Sequence, residues 1–169
     1  MTHGRKEHHM TPEDRSRLIE QYANGPEALR EAYDAAPGEM RDWQPAPGEW
    51  SVNEIICHCA DAEMLAAIRI RILAVDPDPH ITAMDQDAWG RTLDYSTRSV
   101  DDAFAVIEAV RRWTTPLLND IPDEVWTKIG HHSVAGDYTA NAWLTNHGAH
   151  LQGHVKQIED NIAAWKNRE

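Results

Sequence analysis

The segment NHGAHLQGHVKQIED, residues 146–160, is the part of the sequence that indicates the fold most clearly. Apolar residues recur through it with helical spacing, and Thr139 upstream is a suitable N-cap, so we predict one helix from Thr139 to about Lys166. In a helix, residues four positions apart lie about 40° apart around the axis and about 6 Å apart along it. His150 and His154 therefore present their imidazoles side by side on an inward face, where both can bind one metal ion.

A catalytic metal site usually has three protein ligands and keeps one position open for water or substrate. The best third ligand is His58, which lies in WSVNEIICHCADAE, residues 50–63. Ser51 and Glu54 form a capping box in this segment, which predicts the start of a second helix with His58 on the flank of its apolar stripe. Ligands on facing helices are typical of metal sites in helical bundles.

Two other interpretations of the histidines stay open. The chain contains ten histidines, so the pair at 150 and 154 can also arise by chance on the surface or in the core. Alternatively, the inward histidines form a hydrogen-bonded core that binds no metal. The remaining histidines are better explained as solvated side chains in connections or in the N-terminal tail, namely His80, His131, His132, His3, His8 and His9.

Proline and glycine divide the helical periodicity into segments. We expect a first helix over residues 12–36, interrupted at Gly25-Pro26, and a third helix over residues 100–120. Residues 76–98 read as an irregular acidic connection that could form a lid, and residues 122–138 as a short hairpin or a plain loop. Four main helices without convincing strands predict an all-α protein, an up-down four-helix bundle.

Length and composition place limits on the class of protein. The 169 residues suit a single domain over residues 11–169, preceded by a disordered tail over residues 1–10. A net charge of −12 disfavours nucleic acid and anionic membranes as partners. We find no run of 18 apolar residues and no signal peptide, so we expect a soluble, cytoplasmic protein. Cys57 and Cys59 point in different directions on the predicted helix, and we expect buried, reduced thiols.

Five further residues are candidates for the surroundings of a metal ion. His147 shares the inward face of the last helix, and we expect it to contact the ligands or to line the pocket. Glu54 and Asp61 lie four and three residues from His58, so either could orient its imidazole or could equally be a solvated charge. Tyr95 and Arg98, in the connection that could close over the pocket, are candidate substrate contacts.

These motifs, taken in order, resemble those of a known family. They are YANGPEALREAY, PAPGEWSVNEIICHCADAEM, DQDAW with LDYSTRS, and WLTNHGAHLQGHVKQI, which together cover residues 18–162. The chain resembles the DinB-like superfamily of four-helix bundles. Within it, the resemblance is to the YfiT-like branch, whose members are provisionally assigned as metal-dependent hydrolases and include bacillithiol S-transferases. The most specific part is Trp-Ser-x-x-Glu-x-x-x-His on the second helix combined with His-x-x-x-His on the last.

The resemblance implies one divalent ion per chain, zinc or nickel, bound by His58, His150 and His154, and it implies a homodimer. We therefore expect a metal-dependent enzyme acting on a small molecule, in which the ion activates either water for hydrolysis or a low-molecular-weight thiol for transfer. The alternative is a non-catalytic metal-binding protein with a stress-response or interaction role. Cys57 and Cys59, on either side of His58, depart from the family pattern and leave the substrate open.

Overall fold

The computed structural model describes residues 10–168, so His3, His8, His9 and nearly all of the predicted tail lie outside the described residues. The described part of the chain is mostly helical, with three short strands between its helices. The elements are α1 (Pro12–Ala35), α2 (Val52–Val75), β1 (His80–Ile81), α3 (Gln86–Leu93), α4 (Val100–Asp120), α5 (Asp123–Thr127), β2 (Gly130–His132), β3 (Gly136–Tyr138) and α6 (Ala140–Lys166).

Side-chain caps start the two helices that carry the candidate ligands. At α2, the Ser51 hydroxyl accepts a hydrogen bond from the Glu54 amide, and the Glu54 carboxylate accepts one from the Ser51 amide at 2.8 Å. At α6, the Thr139 hydroxyl accepts a hydrogen bond from the Ala142 amide. The predicted capping box and the predicted N-cap are both confirmed.

The four long helices α1, α2, α4 and α6 form the bundle. Helices α1 and α2 each pack against α4 and α6, so α1 and α2 lie diagonally opposite one another. Ile56 of α2 shares one end of the core with Phe104 of α4, and Leu73 shares the other end with Leu118, so α2 and α4 run in the same direction. The four-helix bundle is confirmed, but this parallel pair departs from a simple up-down order. The connection over residues 76–99 is long enough to return the chain to the other end of the bundle.

The core consists of two apolar clusters separated by a polar layer. One cluster joins Leu29, Ile56 and Ile107, and the other joins Tyr22, Ile70 and further residues of every long helix. Between the clusters lie three buried polar side chains, Glu63, Arg111 and His147. This layer sits at mid-height in the bundle, next to the candidate metal ligands.

Helix α1 continues through Gly25-Pro26, where we expected an interruption. Proline has no N–H, so it leaves the carbonyl four residues earlier, that of Tyr22, without its helical donor. Arg111 supplies the missing donor, because its Nη1 donates to the Tyr22 carbonyl at 2.6 Å. Gly25 makes room for this contact, since a Cβ atom there would lie 2.6 Å from Arg111 Nη1. The Gly-Pro pair is therefore a docking site for the guanidinium.

The connections contain more regular structure than the sequence predicted. Residues 76–98, expected to be irregular, hold strand β1, helix α3 and a 3-10 turn at Tyr95–Thr97. Strand β1 pairs in parallel with β2, which forms a hairpin with β3. The sheet covers one end of the bundle with Ile81 and Tyr138. The hairpin alternative for residues 122–138 is confirmed, whereas strand β1, which pairs with it, was not predicted.

Two composition-based expectations can be compared with the structure. Cys57 and Cys59 are both buried and free, as predicted. No helix in the described part of the chain is long and apolar enough to cross a membrane.

Candidate metal centre

Three imidazoles from two helices converge beside the polar layer. His58 comes from α2, and His150 and His154 come from α6, which faces it. One ring nitrogen of each lies within 4.8 Å of the corresponding nitrogen of the other two. Nε2 of His150 and Nε2 of His154 are 3.2 Å apart, and the His58 ring centroid lies 4.9 Å from that of His154. The three residues predicted as ligands are therefore brought together.

In the described part of the chain these rings make two hydrogen-bond contacts, one between Nε2 of His150 and Nε2 of His154 and one between His154 and Gln157. Both ring nitrogens of His58 are buried and have no hydrogen-bond partner. Nδ1 of His154 lies 2.9 Å from Gln157 Oε1, an acceptor, which favours a proton on Nδ1 and a lone pair on Nε2. Two nitrogens bound to one tetrahedral zinc ion at about 2.05 Å would lie about 3.3 Å apart. The observed 3.2 Å between the two Nε2 atoms fits that arrangement.

Burial favours the neutral state of the His58 and His154 imidazoles, which is the state that binds metal. Burial, together with the neighbouring imidazoles, lowers the pKa of His58 to about 3 and that of His154 to about 4. The His58 ring also packs against Trp50, with 4.6 Å between ring centroids. A neutral imidazole presents a lone pair at physiological pH, so a cation does not have to displace a proton.

A buried carboxylate stands behind one of the candidate ligands. Glu63 Oε1 lies 3.5 Å from Nδ1 of His150, on the opposite side of the ring from Nε2. Burial alone would raise the pKa of Glu63, but the charge of Arg111 and the contacts that His150 and Arg111 make with the carboxylate outweigh it and hold the value at about 2. The contact is at ion-pair distance and is not a hydrogen bond, and a carboxylate at such a position favours one orientation of a metal-binding histidine.

Arg111 holds Glu63 in place and contacts every long helix. Its Nε and Nη2 donate to the two oxygens of Glu63 at 2.9 and 2.6 Å, forming a bidentate pair. Nη1 donates to the Tyr22 carbonyl of α1, and Nη2 donates to the His147 carbonyl of α6 at 3.0 Å. One guanidinium on α4 thus joins the other three long helices around the site.

A cavity of about 360 Å³ opens onto two of the candidate ligands. Its lining includes His58, His147 and His150, together with Arg69 of α2. The opposite wall comes from the connection after β1 and from the β2–β3 hairpin, through Ala83, Met84, Gln86, His132 and Val134. This space can bring a small molecule to the three imidazoles.

Comparison with known proteins places this arrangement in a family. A family model described as the DinB superfamily matches residues 21–158, which include all three imidazoles and the polar layer. The chain belongs to the DinB superfamily.

Curated relatives and a solved structure agree with this assignment. A protein of Oceanobacillus iheyensis, provisionally named a metal-dependent hydrolase, is 25% identical over 139 residues, covering 79% of this chain and 78% of its own. YfiT of Bacillus subtilis, named in the same way, is 24% identical over 124 residues, covering 73% and 69%. The solved structure of YfiT superposes with a TM-score of 0.84 at 21% identity, covering 94% and 91%. That structure is described as having an unusual four-helix bundle topology.

His147 occupies the place that the sequence predicted for it in this DinB bundle. It lines the cavity and packs on Trp143, with 4.9 Å between ring centroids. A nitrogen of His147 lies within 4.8 Å of ligand atoms of Glu63 and His150, a second group of metal-binding residue types. Arg111 already pairs with both oxygens of Glu63, so its positive charge disfavours a cation there.

Glu54 and Asp61 do not orient the imidazole of His58. Glu54 is committed to the capping box and to the amide of Gln44. Asp61 accepts a hydrogen bond from the Tyr95 hydroxyl at 2.7 Å. Although their spacing places both near His58 on α2, neither contacts a ring nitrogen of His58, because each carboxylate is held by other partners.

Tyr95 and Arg98 lie outside the cavity at the imidazoles. Both line a separate cleft of about 550 Å³ next to Cys57 and Asp61, and Arg98 donates through Nε to the Leu93 carbonyl. The expectation that these residues reach the metal pocket is therefore not supported. The connection approaches the imidazoles instead through residues 83–86.

Sequence reasoning missed Glu63 and Arg111, although both carry a signal. Glu63 lies on the apolar stripe of α2, and Arg111 lies on that of α4, in line with Phe104 and Leu118. An acid and a base on the inward faces of two helices predict a buried pair. Gln157 was also missed, although it lies three residues after His154 on the same helix, and Trp50, which precedes α2, was missed without such a signal.

Proposed function

We propose that this protein is a metal-dependent enzyme in which His58, His150 and His154 bind one divalent ion, zinc or nickel. The observation that carries the proposal is the convergence of three imidazoles, one of which, that of His58, is buried and has no hydrogen-bond partner on either nitrogen. Leaving such polar atoms unpaired inside a bundle costs free energy that a bound cation would offset. Imidazole ligands suit zinc and nickel equally well.

When bound, such an ion acts as a Lewis acid that lowers the pKa of a water molecule or a thiol at its open position. The residues of the chain supply the rest. Glu63 orients the His150 ring, Gln157 orients that of His154, and Trp50 packs over His58. The cavity beside His58 and His150 would hold the substrate next to the imidazoles.

The two candidate reactions are hydrolysis and transfer of a low-molecular-weight thiol to an electrophile. The names of the relatives favour hydrolysis, and both reactions use the same open position. A closed structural site would need a fourth ligand. The three-histidine group contains no fourth residue in the described part of the chain, and Glu54 is committed elsewhere. This arrangement favours a catalytic over a structural site.

The test is turnover by metal-free protein reloaded with zinc or nickel. Hydrolysis is measured with p-nitrophenyl acetate, and thiol transfer with cysteine and chlorodinitrobenzene. We expect turnover in one assay that requires the metal and is lost in His154→Ala, while the control His131→Ala, on the exposed hairpin, keeps it. Identical rates for loaded wild type, metal-free wild type and His154→Ala would contradict the proposal.

A further inference from the structure

Arg69 is the one Lys or Arg side chain that lines the cavity next to the imidazoles, among the residues that the structure describes. It comes from α2, eleven residues after His58, in a chain whose net charge is −12. An arginine in a pocket of an acidic protein needs an explanation, because anionic side chains are plentiful enough to pair with it. We therefore ask which anionic group pairs with the Arg69 guanidinium.

The Arg69 guanidinium has an incomplete set of partners. Its Nη2 donates to the Thr82 carbonyl, but Nε is buried without a hydrogen-bond partner. No described carboxylate lies within ion-pair distance of it, in contrast to the bidentate pair that Arg111 forms with Glu63. Burial lowers the pKa of Arg69, which is the sign of an incompletely compensated charge. A half-buried cation without an anion is what a binding site for an anionic group requires.

The distance from Arg69 to the imidazoles sets the length of a ligand that could contact both. Eleven residues correspond to about three helical turns, so Arg69 and His58 lie on the same face of α2 with their Cα atoms about 16 Å apart. Helical side chains lean toward the N-terminus, and the arginine reaches further than the histidine, so the separation of the guanidinium from the His58 imidazole is somewhat under about 16 Å, on the order of 10 Å. Ala62 lies between the two on the cavity wall and presents only a methyl group.

We propose that Arg69 binds a carboxylate of the substrate, whose reacting end is held at the three imidazoles about 10 Å away. This inference rests on the proposed function and adds the substrate class, an elongated small molecule with a terminal carboxylate. Planar guanidinium groups match carboxylates in shape and bind them through paired, charge-assisted hydrogen bonds. The apolar middle of the cavity, formed by Ala62, Ala83, Met84 and Val134, suits an uncharged spacer between the two ends.

The test uses two thiol probes of equal length in protein loaded with cobalt(II), 8-mercaptooctanoate and its neutral analogue 8-mercaptooctanol. The sulfur reports binding at the metal through a thiolate-to-cobalt absorption band, and only one probe carries a carboxylate at the far end. We expect the acid to bind at least about tenfold more tightly than the alcohol. Arg69→Gln should remove this preference, and Arg69→Lys should keep part of it. Arg98→Gln, in the separate cleft, is the matched control and should leave it intact.

The outcomes separate the inference from the function on which it rests. Equal affinities of wild type for the two probes, or a preference that survives in Arg69→Gln, would overturn the role of Arg69 and leave the metal site standing. Absence of the band with both probes would overturn the open metal site itself and the inference with it. A preference lost only in Arg69→Gln would support both.

Discussion

Replacing Arg111 by methionine should destabilise the protein more than any other single change of a polar residue near the site. The substitution keeps a long side chain but leaves the Glu63 carboxylate buried without its cation, and it leaves the Tyr22 carbonyl without a donor. Neither group can reach water, because Glu63 and Tyr22 are fully buried. The perturbation therefore tests whether the polar layer holds the four helices together.

The expected loss of stability follows from the two groups that Arg111→Met leaves unpaired, the Glu63 carboxylate and the Tyr22 carbonyl. Removing one partner of a buried ion pair costs about 3–5 kcal/mol. An unsatisfied buried carbonyl adds about 1–3 kcal/mol. A loss of at least about 4 kcal/mol is a large part of the 5–15 kcal/mol by which domains are ordinarily stable. For a chain of this length it corresponds to a fall in Tm of about 8–16 °C.

The assay is urea and thermal unfolding of the metal-free protein, followed by circular dichroism at 222 nm. Arg112→Met is the matched control, because Arg112 is the next residue and is exposed, and its loss should change stability by less than about 0.5 kcal/mol. If Arg111→Met were no less stable than Arg112→Met, the account of the polar layer would be wrong.

A double variant separates stability from the support of the ligand. Glu63→Leu combined with Arg111→Met removes both buried charges and should recover most of the lost stability. It also removes the carboxylate behind His150, so zinc affinity should still fall about 10–100-fold. Wild-type zinc affinity in the double variant would show that Glu63 does not support His150.

Three other outcomes follow from the structure. Burial lowers the pKa of His58 and of His147 to about 3 each, so between pH 6.5 and 3 the unfolded metal-free chain binds more protons than the folded chain. The free energy of unfolding should therefore fall as the pH falls through this window, by up to about 1.4 kcal/mol per pH unit for each proton. Urea titrations at a series of pH values measure this. Gln157→Leu removes the acceptor at Nδ1 of its histidine and should weaken zinc binding about tenfold by competition with a chromophoric chelator, with Tm nearly unchanged. Gly25→Ala should lower Tm by several degrees, since its Cβ would lie 2.6 Å from Arg111 Nη1, whereas Gly153→Ala, with open space around it, should not.

Local signals in the sequence were sufficient for the helices that carry the site. The capping box at Ser51 and the N-cap at Thr139 mark where α2 and α6 begin, and the inward spacing of His150 and His154 follows from the helical period. A histidine on the facing helix completed the set, so these three positions could be chosen without a structure.

Long-range contacts explain what the sequence could not predict. Gly25-Pro26 reads as an interruption because the donor that replaces the missing N–H comes from Arg111, a residue distant in sequence. Strand β1 has only two residues, too few for an alternating pattern, and it exists because it pairs with β2. The parallel course of α2 and α4 depends on how the intervening connection folds. Glu63 could have been found by asking which charged residues fall on an apolar stripe.

The most direct test of the central claim is the metal content of untagged protein purified without nickel resin, measured by elemental analysis beside His58→Ala, His154→Ala and the control His131→Ala. We expect about one zinc or nickel ion per chain in the wild type and the control, and none in the two ligand variants. Wild-type protein that holds no metal even after incubation with zinc and nickel, or ligand variants that retain a full complement, would contradict the assignment of His58, His150 and His154 as the metal centre.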